Sequence, residues 1–177
     1  MPEIRSFATH EASDDVLAQI RVLLADAFEG DFSDEDWEHT LGRTHVVVFE
    51  RGDLAAHASV VPRTLEVADR PFRAGYVEGV GAIPAGQGRG FGTLAMKRLS
   101  EEVCGRFELG ALSTDRHSFY ERRGWERWLG PTFVRSGPET IRTKDEDDGV
   151  MVLRFGPSED VDLTASLTCE ARPGDDW

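Results

Sequence analysis

The chain has 177 residues with 40% hydrophobic content, which suits one domain with a substantial core and excludes wholesale disorder. No apolar run reaches the roughly 18 residues of a membrane span. The formal charge of −13, from 33 acidic against 20 basic residues, repels nucleic acid and anionic membranes and attracts polycations. Met1-Pro2-Glu3-Ile4-Arg5 lacks the basic and apolar regions of a signal peptide, and Cys104 and Cys169 fall outside any C-x-x-C pattern. A reduced, cytoplasmic protein is therefore expected.

Residues 3–9 read as a first strand. Ser13-Asp14-Asp15 opens a helix, with serine at the N-cap and two acids in the first turn. Val16, Ile20, Leu23, Leu24, Ala27 and Phe28 give that helix one apolar face, and Gly30 stops it. Ser33-Asp34-Glu35-Asp36 has capping-box spacing and starts a short second helix through Trp37 and Leu41. Strands at 45–50, 54–66 and 72–83 follow as a meander, turning at Gly52-Asp53 and Ala68-Asp69-Arg70. A helix over about 90–106 leads to a short apolar strand at 109–114 and a short helix at 117–122 that ends at Gly124. Beyond a Gly130-Pro131 turn, strands are expected at 132–135, 150–155 and 162–168, with a polar loop over 136–149. No repeat or linker interrupts the chain, so a single domain over 1–177 is expected, with an α/β mixed central sheet flanked by helices.

The most informative stretch joins the strand ending Val77-Glu78-Gly79-Val80-Gly81-Ala82 to the helix through Gly86-Gln87-Gly88-Arg89-Gly90-Phe91-Gly92. A strand feeding a helix through glycines offers backbone N–H groups and the positive end of a helix dipole to a phosphate. The nucleotide triphosphatase loop does not fit, because Phe91-Gly92-Thr93 stands where Gly-Lys-Ser/Thr is required. The dinucleotide fingerprint fails in both registers, at Phe91 and at Thr93. Gln87-Gly88-Arg89-Gly90-Phe91-Gly92 instead resembles the Q/R-x-x-G-x-G/A segment of the GNAT N-acetyltransferases, where this loop holds the pyrophosphate of acetyl-coenzyme A.

A closer resemblance rests on Gly30-Asp31-Phe32, Asp36 through Gly42, Gly75 through Val80, Leu109 through Ser113, Arg123-Gly124-Trp125, Asp147-Asp148-Gly149 and Gly174-Asp175-Asp176-Trp177. In order and spacing these are similar to the aminoglycoside 2'-N-acetyltransferases from about residue 16 to Trp177. The resemblance implies the GNAT fold, acetyl-coenzyme A as donor, the 2'-amine of an aminoglycoside as acceptor, and a homodimer.

It also implies roles residue by residue. Glu78 is the expected base, acting through a water, and Tyr120 the expected acid for the coenzyme A thiolate. A phenol near its ordinary pKa of about 10 is protonated at neutral pH. The Val80 N–H is expected to bind the thioester oxygen. Ala82 and the segment Gln87, Gly88, Arg89, Gly90, Phe91 and Gly92 are expected to bind pantetheine and pyrophosphate. Gln87 stands where many relatives have arginine, so the pyrophosphate loses one cation there. Asp31, Asp36, Glu78, Ser113, Asp147 and the carboxylate of Trp177 are expected around the antibiotic, with Trp177 a second candidate for amine contact or proton removal. Asp147 and Asp148 compete for one of these places.

The residue types alone also allow a Glu78 paired outward with an arginine and a Tyr120 packed beside Phe119. His10, His39, His45, His57 and His117 show no ligand spacing, so no metal is expected. The alternatives to aminoglycoside acetylation are a GNAT enzyme acting on another polyamine or a cell-envelope amino sugar, a peptide acetyltransferase, and a non-catalytic acetyl-coenzyme A binder.

Overall fold

A computed structural model describes residues 1–86 and 88–177; Gln87, expected to begin the donor loop, lies outside the described residues. The chain forms two compact units, Met1–Val61 with Val77–Glu102, and Pro62–Tyr76 with Val103–Trp177. Two long strands, β3 (Asp53–Val67) and β4 (Arg70–Ala82), belong to both.

In the first unit β1 (Glu3–Ala8) pairs antiparallel with β2 (Thr44–Glu50), and β2 pairs antiparallel with β3. Helix α1 (Asp14–Ala27) starts where expected, with the Val16 N–H donating to the Ser13 hydroxyl at 3.3 Å. Its apolar spacing turns Ile20, Leu23 and Leu24 into a buried cluster with Trp37 and Val47. Truncating Leu24 to alanine there would cost about 2–5 kcal/mol. Helix α2 (Asp34–Thr40) carries the expected capping box: Asp36 Oδ2 accepts from the Ser33 N–H at 2.8 Å, and the Asp36 N–H donates to Ser33 Oγ at 3.1 Å.

Helix α3 (Phe91–Arg106) leads into the second unit, which adds β5 (Leu109–Ser113), α4 (His117–Glu121), β6 (Glu126–Arg127), β7 (Thr132–Ser136), β8 (Glu139–Arg142), β9 (Val150–Arg154) and β10 (Leu167–Glu170). The sheet runs β6-β9-β5-β4-β3-β10-β7-β8. Strand β5 is parallel to β4 and antiparallel to β9, while β10 is antiparallel to β3 and parallel to β7. The α/β class with a mixed sheet is as the sequence implied. Leu109–Leu112 are all buried, as a continuous apolar run in an interior strand should be.

Two local readings need correction. Residues 136–149 are not all loop, because Glu139–Arg142 form the edge strand β8 against β7. Its exposed side chains hide the strand from a hydrophobic pattern, which is how edges are commonly protected. The strand expected over 162–168 begins only at Leu167. Asp162 Oδ1 accepts from the Thr164 N–H at 2.9 Å and the Thr164 hydroxyl at 2.7 Å, a local side-chain turn that competes with the strand. Among the described residues, no helix is long and apolar enough to cross a membrane.

Candidate active site

In the first unit, the end of β4 departs from regular strand geometry at Gly79, whose φ is +53°. A side chain is excluded there twice over: that φ disfavours L-residues, and a Cβ would lie 2.9 Å from the Thr40 hydroxyl and 3.2 Å from Leu24 Cδ1. Two successive carbonyls around it are held by side chains of β3. Ser59 Oγ donates to the Glu78 carbonyl at 3.2 Å, and His57 Nδ1 lies 2.7 Å from the Gly79 carbonyl oxygen. In a trans peptide the N–H points opposite to the carbonyl, so the Val80 N–H is turned away from the His57 ring. Glu78, Val80 and Ala82 are all half-buried on this segment.

The glycine loop follows. The Gly86 N–H donates to the Ile83 carbonyl at 2.8 Å and the Arg89 N–H to the Gly86 carbonyl at 3.1 Å. Gly88 and Gly90 adopt φ of +79° and +83°, and a Cβ on either would meet nothing within 4 Å. The Leu94 N–H donates to the Gly90 carbonyl at 3.0 Å, so the N–H groups of Phe91 and Gly92 lie in the first turn, ahead of the helical ladder. Open space over glycines at the start of a sixteen-residue helix suits a diphosphate. Arg89 pairs with Glu50 at 3.1 Å and lies over the Phe91 ring at 4.8 Å. Asp31 is exposed between α1 and α2, and Asp36 is engaged in the α2 cap.

The second unit brings together a different set. Tyr120 is buried edge-on to Phe119 and Trp125, and burial pushes its phenol up to about 12, so it holds its proton throughout the neutral range. Asp147 is tied down on several sides. It forms a two-point ion pair with Arg142, with Arg142 Nη1 to Oδ1 at 2.7 Å, and accepts from the Thr132 N–H and hydroxyl, each at 3.0 Å. The Arg142 contact holds its carboxyl down at about 2. Asp148 is exposed, and its carbonyl lies 2.6 Å from His117 Nε2 at the start of α4. The Ser113 hydroxyl sits against Gly149, where an added Cβ would be 2.9 Å from it.

Trp177 is buried, with its indole Nε1–H donating to the Thr143 hydroxyl at 3.1 Å. The segment before it is strapped down: Arg63 donates to the carbonyls of Asp176 at 2.6 Å and Glu170 at 2.7 Å, and the Arg172 N–H donates to Asp176 Oδ1 at 2.9 Å. Sequence reading missed Glu146 in this cluster. Burial raises its carboxyl pKa, reinforced by the negative charges of Asp175, Asp145 and Asp176. It also missed Arg142, Thr132 and Thr143, which position Asp147 and Trp177, and the buried pair His45 and His57 behind β4. Their signal was faint: a polar residue inside an apolar strand such as 45–49 or 54–61 should have prompted a search for its partner. Among the described residues, no group of three or more His, Cys, Asp and Glu is arranged to hold a metal ion.

The comparisons agree with this architecture. The family model for the acetyltransferase (GNAT) domain matches residues 8–128. An aminoglycoside 2'-N-acetyltransferase of Mycolicibacterium fortuitum is 42% identical over 161 residues, which are 89% of this chain and 83% of that protein. Among solved structures, the GNAT family N-acetyltransferase YhbS from Escherichia coli, in complex with CoA, superposes with a TM-score of 0.68 at 14% identity over 95% of this chain and 89% of that one. A GNAT family acetyltransferase from Brucella melitensis, in complex with acetyl-CoA, gives 0.61 at 17% identity over 93% and 94%. Other solved matches are longer proteins, of which this chain spans about a third. At such low identity these structures speak for the fold, whereas the family model and the Mycolicibacterium relative speak for descent: the chain belongs to the GNAT acetyltransferases, on the branch of the aminoglycoside 2'-N-acetyltransferases.

Proposed function

We propose that this enzyme transfers the acetyl group of acetyl-coenzyme A to the 2'-amino group of aminoglycoside antibiotics. The observation that carries the proposal is the 42% identity to an aminoglycoside 2'-N-acetyltransferase, which extends over most of both chains. Acetyl-coenzyme A supplies an activated acyl group. The first-turn N–H groups of α3 and the Gly88 and Gly90 backbone bind its diphosphate, with Arg89 and Phe91 beside them and Ala82 along the pantetheine. Gln87 belongs to this loop in the same reading. The Val80 N–H is the donor to the acyl oxygen, where charge develops during transfer. Glu78 removes the amine proton through a water, and Tyr120, protonated up to about 12, returns a proton to the departing thiolate.

The acceptor is a polycation, and the acidic chain suits it. Asp31, Asp36, Glu78, Ser113, Asp147 and the carboxylate of Trp177 form its contacts in this reading, and Glu146 joins them. Asp147 shares any ammonium with Arg142, so its larger part is to fix the turn that presents Glu146 and Asp148. One GNAT domain over 1–177, a homodimer and a cytoplasmic location complete the proposal; the first is supported by β3 and β4, each of which belongs to both units.

Thiol release from acetyl-coenzyme A, measured over a panel of aminoglycosides, polyamines and peptides, tests the assignment. Turnover with aminoglycosides bearing a 2'-amine and little with the other amines is the expected result. Preference for a linear polyamine or a peptide would overturn it.

A further inference from the structure

Behind the irregular end of β4 lies a line of hydrogen bonds that the proposed chemistry does not use. Thr9 Oγ1 is 2.8 Å from His45 Nε2, His45 Nδ1 is 2.9 Å from His57 Nε2, and His57 Nδ1 is 2.7 Å from the Gly79 carbonyl oxygen. Both imidazoles are fully buried, with ring centroids 5.2 Å apart, and Phe7 stacks on His45 at 5.6 Å. All of these groups lie in the first unit.

The direction of the line follows from its last member. A carbonyl oxygen can only accept, so His57 carries its proton on Nδ1. Burial holds both rings neutral, with pKa values lowered to about 4 for His45 and about 3 for His57, so each ring has one donor and one acceptor. His57 Nε2 therefore accepts from His45 Nδ1–H, and His45 Nε2 accepts from the Thr9 hydroxyl. Every donor in the row points toward Gly79.

The Gly79 carbonyl and the Val80 N–H are the two ends of one peptide group. A hydrogen bond accepted by the carbonyl draws electron density toward oxygen and makes the N–H a stronger donor, and chained bonds reinforce one another. It also fixes the plane of a peptide that follows a residue at positive φ. We propose that Thr9, His45 and His57 are positioning residues that orient and polarise the Gly79–Val80 peptide, so that its N–H becomes a stronger donor to the acyl oxygen of the bound thioester. This rests on the assignment of the Val80 N–H as that donor.

The probe is a non-reactive ketone analogue of acetyl-coenzyme A, with CH2 in place of sulfur and 13C at the carbonyl, because its shift reports hydrogen-bond strength at the oxygen. In the wild-type enzyme the signal should move downfield on binding. In His57→Leu the movement should shrink by more than half and kcat should fall about tenfold, a fraction of the 10²–10³ lost when an oxyanion donor is removed outright. The dissociation constant of the analogue should stay within about twofold. His57→Asn places an amide N–H close to the position of Nδ1 and should restore most of both effects. Thr9→Val, which leaves the buried ring pair in place, should give a smaller loss in the same direction and serves if His57→Leu does not fold. An equal downfield shift in the wild type, Thr9→Val and every folded His57 variant would overturn the relay while leaving the Val80 assignment standing. No shift in the wild type would remove the Val80 assignment itself, and the inference with it.

Discussion

The indole N–H of Trp177 donates to the Thr143 hydroxyl at 3.1 Å, which fixes Trp177 to the segment that carries Glu146 and Asp147. Trp177 is buried as a whole residue, 4% exposed, and the packing of its ring can be tested apart from any role of its carboxylate. Trp177→Ala should destabilise the protein by about 3 kcal/mol, the lower end for burying an aromatic ring. Appending residues after Trp177 turns the carboxylate into an amide and leaves the ring in place. Melting temperature should then stay near wild type, while kcat/KM for the aminoglycoside falls about 10- to 150-fold, as expected for losing a charged hydrogen bond. Thermal melts and steady-state kinetics on the two variants check this. An appended tail without kinetic effect would remove the carboxylate from the site.

The buried histidines make stability depend on pH in a definite direction. Their folded-state pKa values are about 4 for His45 and about 3 for His57, against about 6.5 when unfolded. Between these limits the unfolded chain binds protons that the folded one does not. The contribution of this pair is therefore fully present above pH 6.5 and is lost as pH drops toward 4, by about 1.4 kcal/mol per unit for each histidine. Urea unfolding from pH 7 to pH 4.5 should show a steeper slope for the wild type than for His57→Asn, by about one proton. Equal slopes would mean that His57 is charged in the folded state or exposed to water.

Glu78 and Tyr120 should respond differently to pH. Glu78→Gln keeps the shape and loses the base, so turnover at neutral pH should fall by roughly 10²-fold, with recovery at high pH where the amine deprotonates unaided. Tyr120→Phe should lower turnover by a comparable factor without that recovery. Because burial raises the phenol to about 12, no alkaline limb from Tyr120 should appear in the wild type below about pH 11. Full pH–rate profiles of the three proteins decide it. A Tyr120→Phe enzyme at wild-type rate would leave the tyrosine as packing beside Phe119 and Trp125.

Much of this arrangement was legible in the sequence wherever a local rule governs. The caps at Ser13 and Ser33, the apolar face of α1 and the glycines at 88 and 90 each answer to spacing within a few residues. The strand β8 escaped notice because an exposed edge has no apolar face, whereas Leu163, Ala165 and Leu167 alternate with polar residues like a strand although Asp162 sets a side-chain turn there. The engagement of Asp147 with Arg142 and Thr132 depends on the pairing of β7 with β8, which no local pattern states. The relay from Thr9 to Gly79 needs four segments in register, and its histidines looked like isolated polar residues until the strands were paired.

The position of the acetyl group on the product decides whether the 2'-amine is the acceptor. Incubation with acetyl-coenzyme A and tobramycin or dibekacin, followed by mass spectrometry and NMR of the product, should show a single acetyl on the 2'-nitrogen. Kanamycin A, which carries a hydroxyl at that carbon, should gain no N-acetyl group. An acetyl found on the 3- or 6'-nitrogen, or N-acetylated kanamycin A, would rule out the 2'-amine as the acceptor.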